Sequence, residues 1–170
     1  SRVSDILDSG MIADGPVVRE FEDEFSTYCG ASHGVATANG TTALHAALEG
    51  LGIGDGDRVL TSPFSFIASA NAVRLSGAEV VFGDIDPQTY NLDPSAVEET
   101  ISSYDGDVDA IMPVHLYGLP AEMDRILAIA EQYDCRVIED AAQAHGAAID
   151  GQRVGSFGDV ACFSFYPTKN

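Results

Sequence analysis

Lys169 is the single lysine of the 170-residue chain, and the other seven basic residues are arginines. Only an amine can condense with an aldehyde to a Schiff base, because a guanidinium stays protonated and delocalised. In so lysine-poor a chain the survivor invites a chemical reason, although a solvated surface lysine needs none. A second candidate lies in Val137-Ile138-Glu139-Asp140-Ala141-Ala142-Gln143, an apolar run passing into acids. A carboxylate at Asp140 could pair with the protonated nitrogen of a heteroaromatic ring and keep it charged. A helix cap by the same aspartate is an equally good reading. A third is Asn39-Gly40-Thr41-Thr42, which opens an alanine-rich stretch. Gly40 permits close backbone approach and the two hydroxyls can donate to phosphate oxygens, although Asn, Gly and Thr are also ordinary residues at a helix start.

These residues need a scaffold that gathers them, and the hydropathy pattern supplies one. Residues 15–30 carry helical apolar spacing at Val18, Phe21, Phe25 and Tyr28, with Pro16 suited to the start and Gly30 to the end. Apolar runs of strand length follow: HGVATA (33–38), DRVLTS (57–62), AEVVFGDI (78–85), DAIMPVHL (109–116), CRVIEDA (135–141) and DVACFSF (159–165). Most are continuous, as in strands buried on both faces. Helical stretches at 41–52, 66–77, 94–103 and 123–134 separate them. The alternation predicts an α/β fold, a three-layer sandwich whose mainly parallel sheet collects ligands beyond the strands' carboxyl ends. The last strand-like run ends at Phe165, five residues before the chain does, so the domain reads as truncated.

Composition narrows the function. A formal charge of −19 repels nucleic-acid phosphates, and the arginines form no basic patch, so DNA and RNA are not expected partners. The acidity also predicts a salt-loving source. No apolar run reaches the ~20 residues of a membrane span and no signal peptide is seen, which predicts a cytoplasmic protein without a membrane partner. Cys29, Cys135 and Cys162 have no metal or disulfide spacing and read as buried small hydrophobes, and no metal site is expected. Gly52-Ile53-Gly54-Asp55-Gly56 lacks dinucleotide spacing and reads as a turn. Asp105, Asp107 and Asp109 start like a calcium loop, but Ala110 and Leu116 stand where glycine and glutamate are required, which leaves a solvated acidic loop.

In order along the chain, SGMIADGPVVREFEDEF, NGTTALHAAL, TSPFSFIASANAV, IMPVHLYG, VIEDAAQAHG and GSFGDVACFSFYPTKN resemble the DegT/DnrJ/EryC1/StrS sugar aminotransferases, nearly end to end. These enzymes depend on pyridoxal 5'-phosphate (PLP) and have the aspartate-aminotransferase fold, fold type I. The resemblance implies that residues 1–170 are part of the large PLP-binding domain and that a C-terminal small domain is absent from this chain. It implies that Lys169 joins the cofactor aldehyde, Asp140 bonds the pyridine nitrogen and Gln143 lies near the phenolic oxygen. It places Thr41, Thr42 and Ser164 at the cofactor phosphate and Phe66 on the ring face. Without the resemblance Phe66 would read as core. His115 is left out of this set, since a satisfied histidine in a buried strand is as good a reading. Ala13-Asp14 departs from the small hydroxyl residue usual after Met11-Ile12, so no substrate contact is carried over there.

The implied reaction passes an amino group from an amino acid, usually glutamate, to a nucleotide-linked ketosugar, in nucleotide-sugar biosynthesis that feeds cell-surface polysaccharide. Lys169, once displaced, shuttles the proton while Asp140 maintains the electron sink. The family works as a homodimer whose sites draw residues from both subunits. Dehydratase relatives carry histidine in place of the lysine, so Lys169 favours transamination; relatives forming aminocyclitols or an aromatic amine remain open. So does a different class of reading, a catalytically incomplete fragment or a non-catalytic binding module.

Overall fold

The computed structural model describes residues 1–104 and 106–169, and Asp105 of the acidic loop lies outside them. The chain divides into two compact units, residues 1–36 and 37–170.

In the first unit α1 (Arg2–Ser9) starts at Ser1, whose hydroxyl accepts from the Ser4 N–H, and stops at Gly10 in the left-handed region. The periodicity had not marked it. Helix α2 (Pro16–Cys29) matches the expected span: Pro16 opens it, where a missing N–H costs nothing, and Gly30 closes it at φ 82°. Phe21, Phe25 and Tyr28 stack along one face with centroids 5.8 and 6.1 Å apart, as i, i+4 and i, i+3 neighbours should. Gly34 then runs so close to α2 that a Cβ would sit 2.7 Å from the Glu22 carbonyl oxygen. The expected strand over 33–38 does not form, and Val35 is 83% exposed. A strand is stabilised by a ladder partner, and no described strand pairs with this stretch.

The second unit is a parallel five-stranded sheet in the order β2-β1-β3-β4-β7, built from β1 (Arg58–Thr61), β2 (Glu79–Phe82), β3 (Ala110–Met112), β4 (Arg136–Asp140) and β7 (Val160–Cys162). The helices are α3 (Gly40–Gly50), α4 (Ala68–Leu75), α5 (Pro94–Ser103) and α6 (Met123–Tyr133). Alternate strand residues feed two separate cores. Val59, Ala110, Met112, Ile138 and Cys162 pack with Leu44 and Leu48 of α3 and Val73 of α4. Leu60, Val81, Ile111 and Val137 pack with Val97 and Ile101 of α5 and Met123 and Ile126 of α6. That is the expected three-layer sandwich, and it explains why the strands read as continuous apolar runs. Each fully buried Leu or Ile contributes about 1.5–3 kcal/mol, so both layers hold the sheet firmly.

Two connections escaped the periodicity. A short hairpin, β5 (Ala148–Ile149) with β6 (Gln152–Arg153), turns on Asp150 (φ 49°) and Gly151 (φ 89°). An Asp-Gly pair with both φ positive is a favoured two-residue hairpin turn, so this signal was present in the sequence. Leu116–Gly118 forms a 3-10 turn in which Tyr117 takes φ 53°, a conformation costly for a bulky residue. The glycine-rich segment after α3 is the expected turn, with Gly52 and Gly56 at φ 78° and 96°. Asp109 is not merely solvated, because its carboxylate accepts from the Arg58 N–H at 2.8 Å and ties β1 to the start of β3.

Candidate functional site

The chain goes from β1 outward to β2, then back across to β3, which makes β1/β3 the point where the strand order reverses. Ligands of open parallel sheets collect beyond the carboxyl ends of the strands at such a point. The residues after β1, β3, β4 and β7, with the N-terminus of α3, are the segments singled out from the sequence.

Asp140 ends β4 and is 5% exposed. Its Oδ2 accepts from the Ser69 hydroxyl at 2.7 Å and its Oδ1 from the Ala142 N–H at 3.2 Å. No helix follows β4, so the capping alternative falls away and a turn takes its place. Burial pushes the carboxyl above its ordinary value, against the opposing pull of Ser69, the Ala142 N–H and the nearby positive charge of Lys169. Ser69 sits in the first turn of α4 and shares a 3.0 Å hydrogen bond with Ser65, so two hydroxyls back the carboxylate. Neither serine carried a signal of its own in the sequence.

At the start of α3, the Asn39 Oδ1 accepts from the Thr42 N–H at 2.9 Å and from the Thr42 hydroxyl at 3.2 Å. Thr42 thus serves the cap, and Thr41 stands half-buried beside it. A Cβ at Gly40 would lie 3.1 Å from the Ser164 Cβ, a tight contact, so the helix start and the exit of β7 meet closely. This contact brings Thr41, Thr42 and Ser164 into one neighbourhood. Phe66 is 67% exposed, not core, and precedes Ser69 by one turn, its carbonyl accepting the Ser69 N–H at 3.2 Å. The Gln143 Oε1 accepts from the Tyr117 N–H at 2.9 Å, which spends its carbonyl end on the strained turn after β3. Lys169, half-buried, follows a turn in which its N–H bonds the Tyr166 carbonyl at 2.8 Å.

His115 is fully buried and structural. The Ala121 N–H donates to its Nδ1 at 3.0 Å, which leaves Nε2 as the protonated nitrogen that donates to the Glu139 Oε2 at 3.1 Å. Glu139, wholly buried as well, also accepts from the N–H groups of Gly155, Phe157 and Gly158 at 2.9–3.0 Å.

The DegT/DnrJ/EryC1/StrS aminotransferase family profile matches residues 1–170. The chain belongs to that family. Among DegT/DnrJ/EryC1/StrS relatives, a UDP-N-acetyl-3-dehydro-alpha-D-glucosamine 3-aminotransferase of Acidithiobacillus ferrooxidans is 48% identical over 168 residues, covering 99% of this chain and 45% of its own length. The crystal structure of Streptomyces venezuelae DesV in complex with a ketimine intermediate superposes with a TM-score of 0.93 at 44% identity, over 98% of this chain and 44% of that one. NtdA of Bacillus subtilis, solved with bound cofactor PMP, gives 0.89 at 38% identity, over 98% of this chain and 37% of that one. The chain therefore spans less than half the length of the family members it matches. The α/β architecture with a mainly parallel sheet is that of the fold type I aminotransferases.

Proposed function

We propose that the chain is the cofactor-carrying part of an aminotransferase that uses PLP to pass an amino group from an amino acid, glutamate, to a nucleotide-linked ketosugar. Asp140 is the observation that carries this reading: a carboxylate removed from water at a strand's carboxyl end, aimed by Ser69 and the Ala142 N–H. Burial strengthens attraction to a cation, so these surroundings fit a pyridinium nitrogen. The close approach of Gly40 to Ser164 at a helix N-terminus fits a phosphate, and the exposed ring of Phe66 fits the face of a flat heterocycle.

When bound, PLP supplies the electron sink for a substrate carbanion. The Lys169 amine would hold the cofactor's aldehyde carbon and would move a proton at the substrate carbon. Asp140 would keep the proton on the ring nitrogen, Gln143 would attend the phenolic oxygen, and Thr41, Thr42 and Ser164 would take the phosphate. A lysine at 169, where dehydratase relatives have histidine, favours transamination. Relatives more than twice as long as this chain support a further part of the reading, that turnover needs the whole protein. In it residues 1–170 form part of the large domain, a small domain lies elsewhere, and two copies complete each other's sites. A cytoplasmic setting in a salt-rich cell accords with the charge of −19.

The test is the absorbance spectrum of the full-length protein with PLP in high salt, before and after borohydride, with peptide mapping. A visible-edge band that borohydride fixes on Lys169 supports the reading, and ketosugars with glutamate are then assayed for turnover. Absence of the band, or a label elsewhere, overturns it.

A further inference from the structure

We propose that Glu139 is a positioning residue that sets the register at which β7 meets β4, and thereby the placement of Ser164 and Lys169 relative to Asp140. The inference rests on the roles proposed above for those three residues.

Glu139 and Asp140 are consecutive in β4, so their side chains point to opposite faces of the sheet. Asp140 faces α4 through Ser69, whereas Glu139 lies on the other side, out of reach of anything bound at Asp140. Its carboxylate is fully engaged: Oε1 accepts from Phe157 and Gly158, and Oε2 from Gly155 and the His115 Nε2–H. Three of these donors come from one loop, 155–158, the segment that delivers the chain into β7. Gly158 approaches β4 so closely that a Cβ would lie 2.6 Å from the Val137 carbonyl oxygen. From there the register runs Ile138 opposite Val160, Glu139 opposite Ala161 and Asp140 opposite Cys162, and the Ala141 N–H bonds the Cys162 carbonyl at 2.9 Å. Ser164 is two residues further on. The fourth donor, His115, is itself locked by the Ala121 N–H. Two connections, the one after β3 and the one before β7, therefore converge on one buried carboxylate on the far side of the sheet from Asp140.

A slip of β7 by one residue would turn every side chain to the other face. The strand itself has three residues, and the Glu139 bonds add to the specification that Asp159 gives by its two bonds to Val137.

The test uses the full-length protein with Glu139→Gln, Gly158→Ala and Val97→Ala. Val97 packs in the core on that side of the sheet and makes none of these hydrogen bonds, so it controls for lost stability. Amide hydrogen exchange of the proteins without cofactor is read first. Glu139→Gln, which turns one acceptor into a donor, and Gly158→Ala, which lifts the loop while keeping Glu139, are both expected to lose protection at 155–162 selectively. Val97→Ala should lose it broadly around α5. PLP titration is read second, at temperatures giving equal stability. The first two variants should weaken cofactor affinity by about tenfold or more, as for loss of a hydrogen bond to a charged group, and Val97→Ala should not. Equal losses of affinity in all three, or unchanged protection at 155–162 in the first two, would overturn the proposal. Selective loss of protection while the unmodified protein binds no PLP would leave the register role standing and sink only the functional reading. If Glu139→Gln fails to fold, the Gly158→Ala comparison with Val97→Ala decides alone.

Discussion

The hydroxyl of Ser69 donates a 2.7 Å hydrogen bond to the Asp140 Oδ2 across 71 positions of sequence, joining the first turn of α4 to the end of β4. Removing it with Ser69→Ala should cost about 1.5–3 kcal/mol, the range for a bond to a charged group. It should also move the Asp140 carboxyl further up, because Ser69 is the strongest opposing influence on its burial. Chemical denaturation at neutral pH checks the first effect, and carbon-13 titration of the carboxyl checks the second.

Asp140→Asn separates stability from function. The folded protein holds this carboxyl above its ordinary value of 3.8. Its contribution is therefore fully present below the unfolded value and is lost as pH rises through the folded one. An amide oxygen still accepts from the Ala142 N–H, and its NH2 can donate to the Ser69 oxygen in place of the bond Ser69 now donates, without a buried charge, so the variant without cofactor should be as stable as the unmodified protein or more so at pH 7. PLP affinity should nonetheless fall. Thermal melts across pH and a cofactor titration give the two readings, and a variant that loses both together would contradict the assignment of Asp140.

Glu139 carries the opposite sign. Burial pushes its carboxyl up, but His115 and the N–H groups of Gly155 and Gly158 outweigh that and leave it below the ordinary value of 4.5. Its stabilisation is present above the unfolded value and disappears as pH falls through the lowered folded one. The stability gap between the unmodified protein and Glu139→Gln should thus stay constant at neutral pH and close in acid, as denaturant melts at several pH values would show.

His115→Ala strands the Ala121 N–H in the interior and leaves the Glu139 Oε2 with the Gly155 N–H alone, and should destabilise by about 3–5 kcal/mol, as for breaking one side of a buried pair. Nitrogen-15 spectra of the unmodified protein should show the proton on Nε2.

Burial raises the Cys162 thiol to about 12, and raises Cys135 to about 11 with the help of the Asp109, Asp134 and Asp107 charges. Since the thiolate is the reactive form, iodoacetamide at pH 8 should label neither residue in the native protein within minutes and both once it is unfolded. Mass spectrometry of the digested adducts reads this directly.

What could be read from the sequence was what local pattern encodes. The strands around Leu60, Ile111 and Ile138 declared themselves because both faces of a parallel sheet are apolar, and Pro16 and Gly30 bracketed α2 by their backbone chemistry. Residues 33–38 were misread for the same reason: strand composition does not supply a ladder partner. Lys169 and Asp140 stood out by residue type. Ser69 and Glu139 did not, because a serine in an alanine-rich helix and an acid beside another acid acquire meaning only from partners 71, 24 and 16–19 residues away. Phe66 looked like core because hydropathy alone does not show that it stands in the segment between β1 and α4, where its ring is exposed.

The placement of β7 beside β4 has a consequence for biosynthesis. Synthesis delivers Asp140 about 30 residues before Lys169, an interval of roughly a few seconds at ribosomal speeds. During that interval the carboxylate end of the sheet exists as an open edge at β4, with Glu139 lacking three of its four donors. Until β7 docks, β4 is an unpaired edge of a parallel sheet, the state in which a growing chain is prone to pair with the strands of other chains.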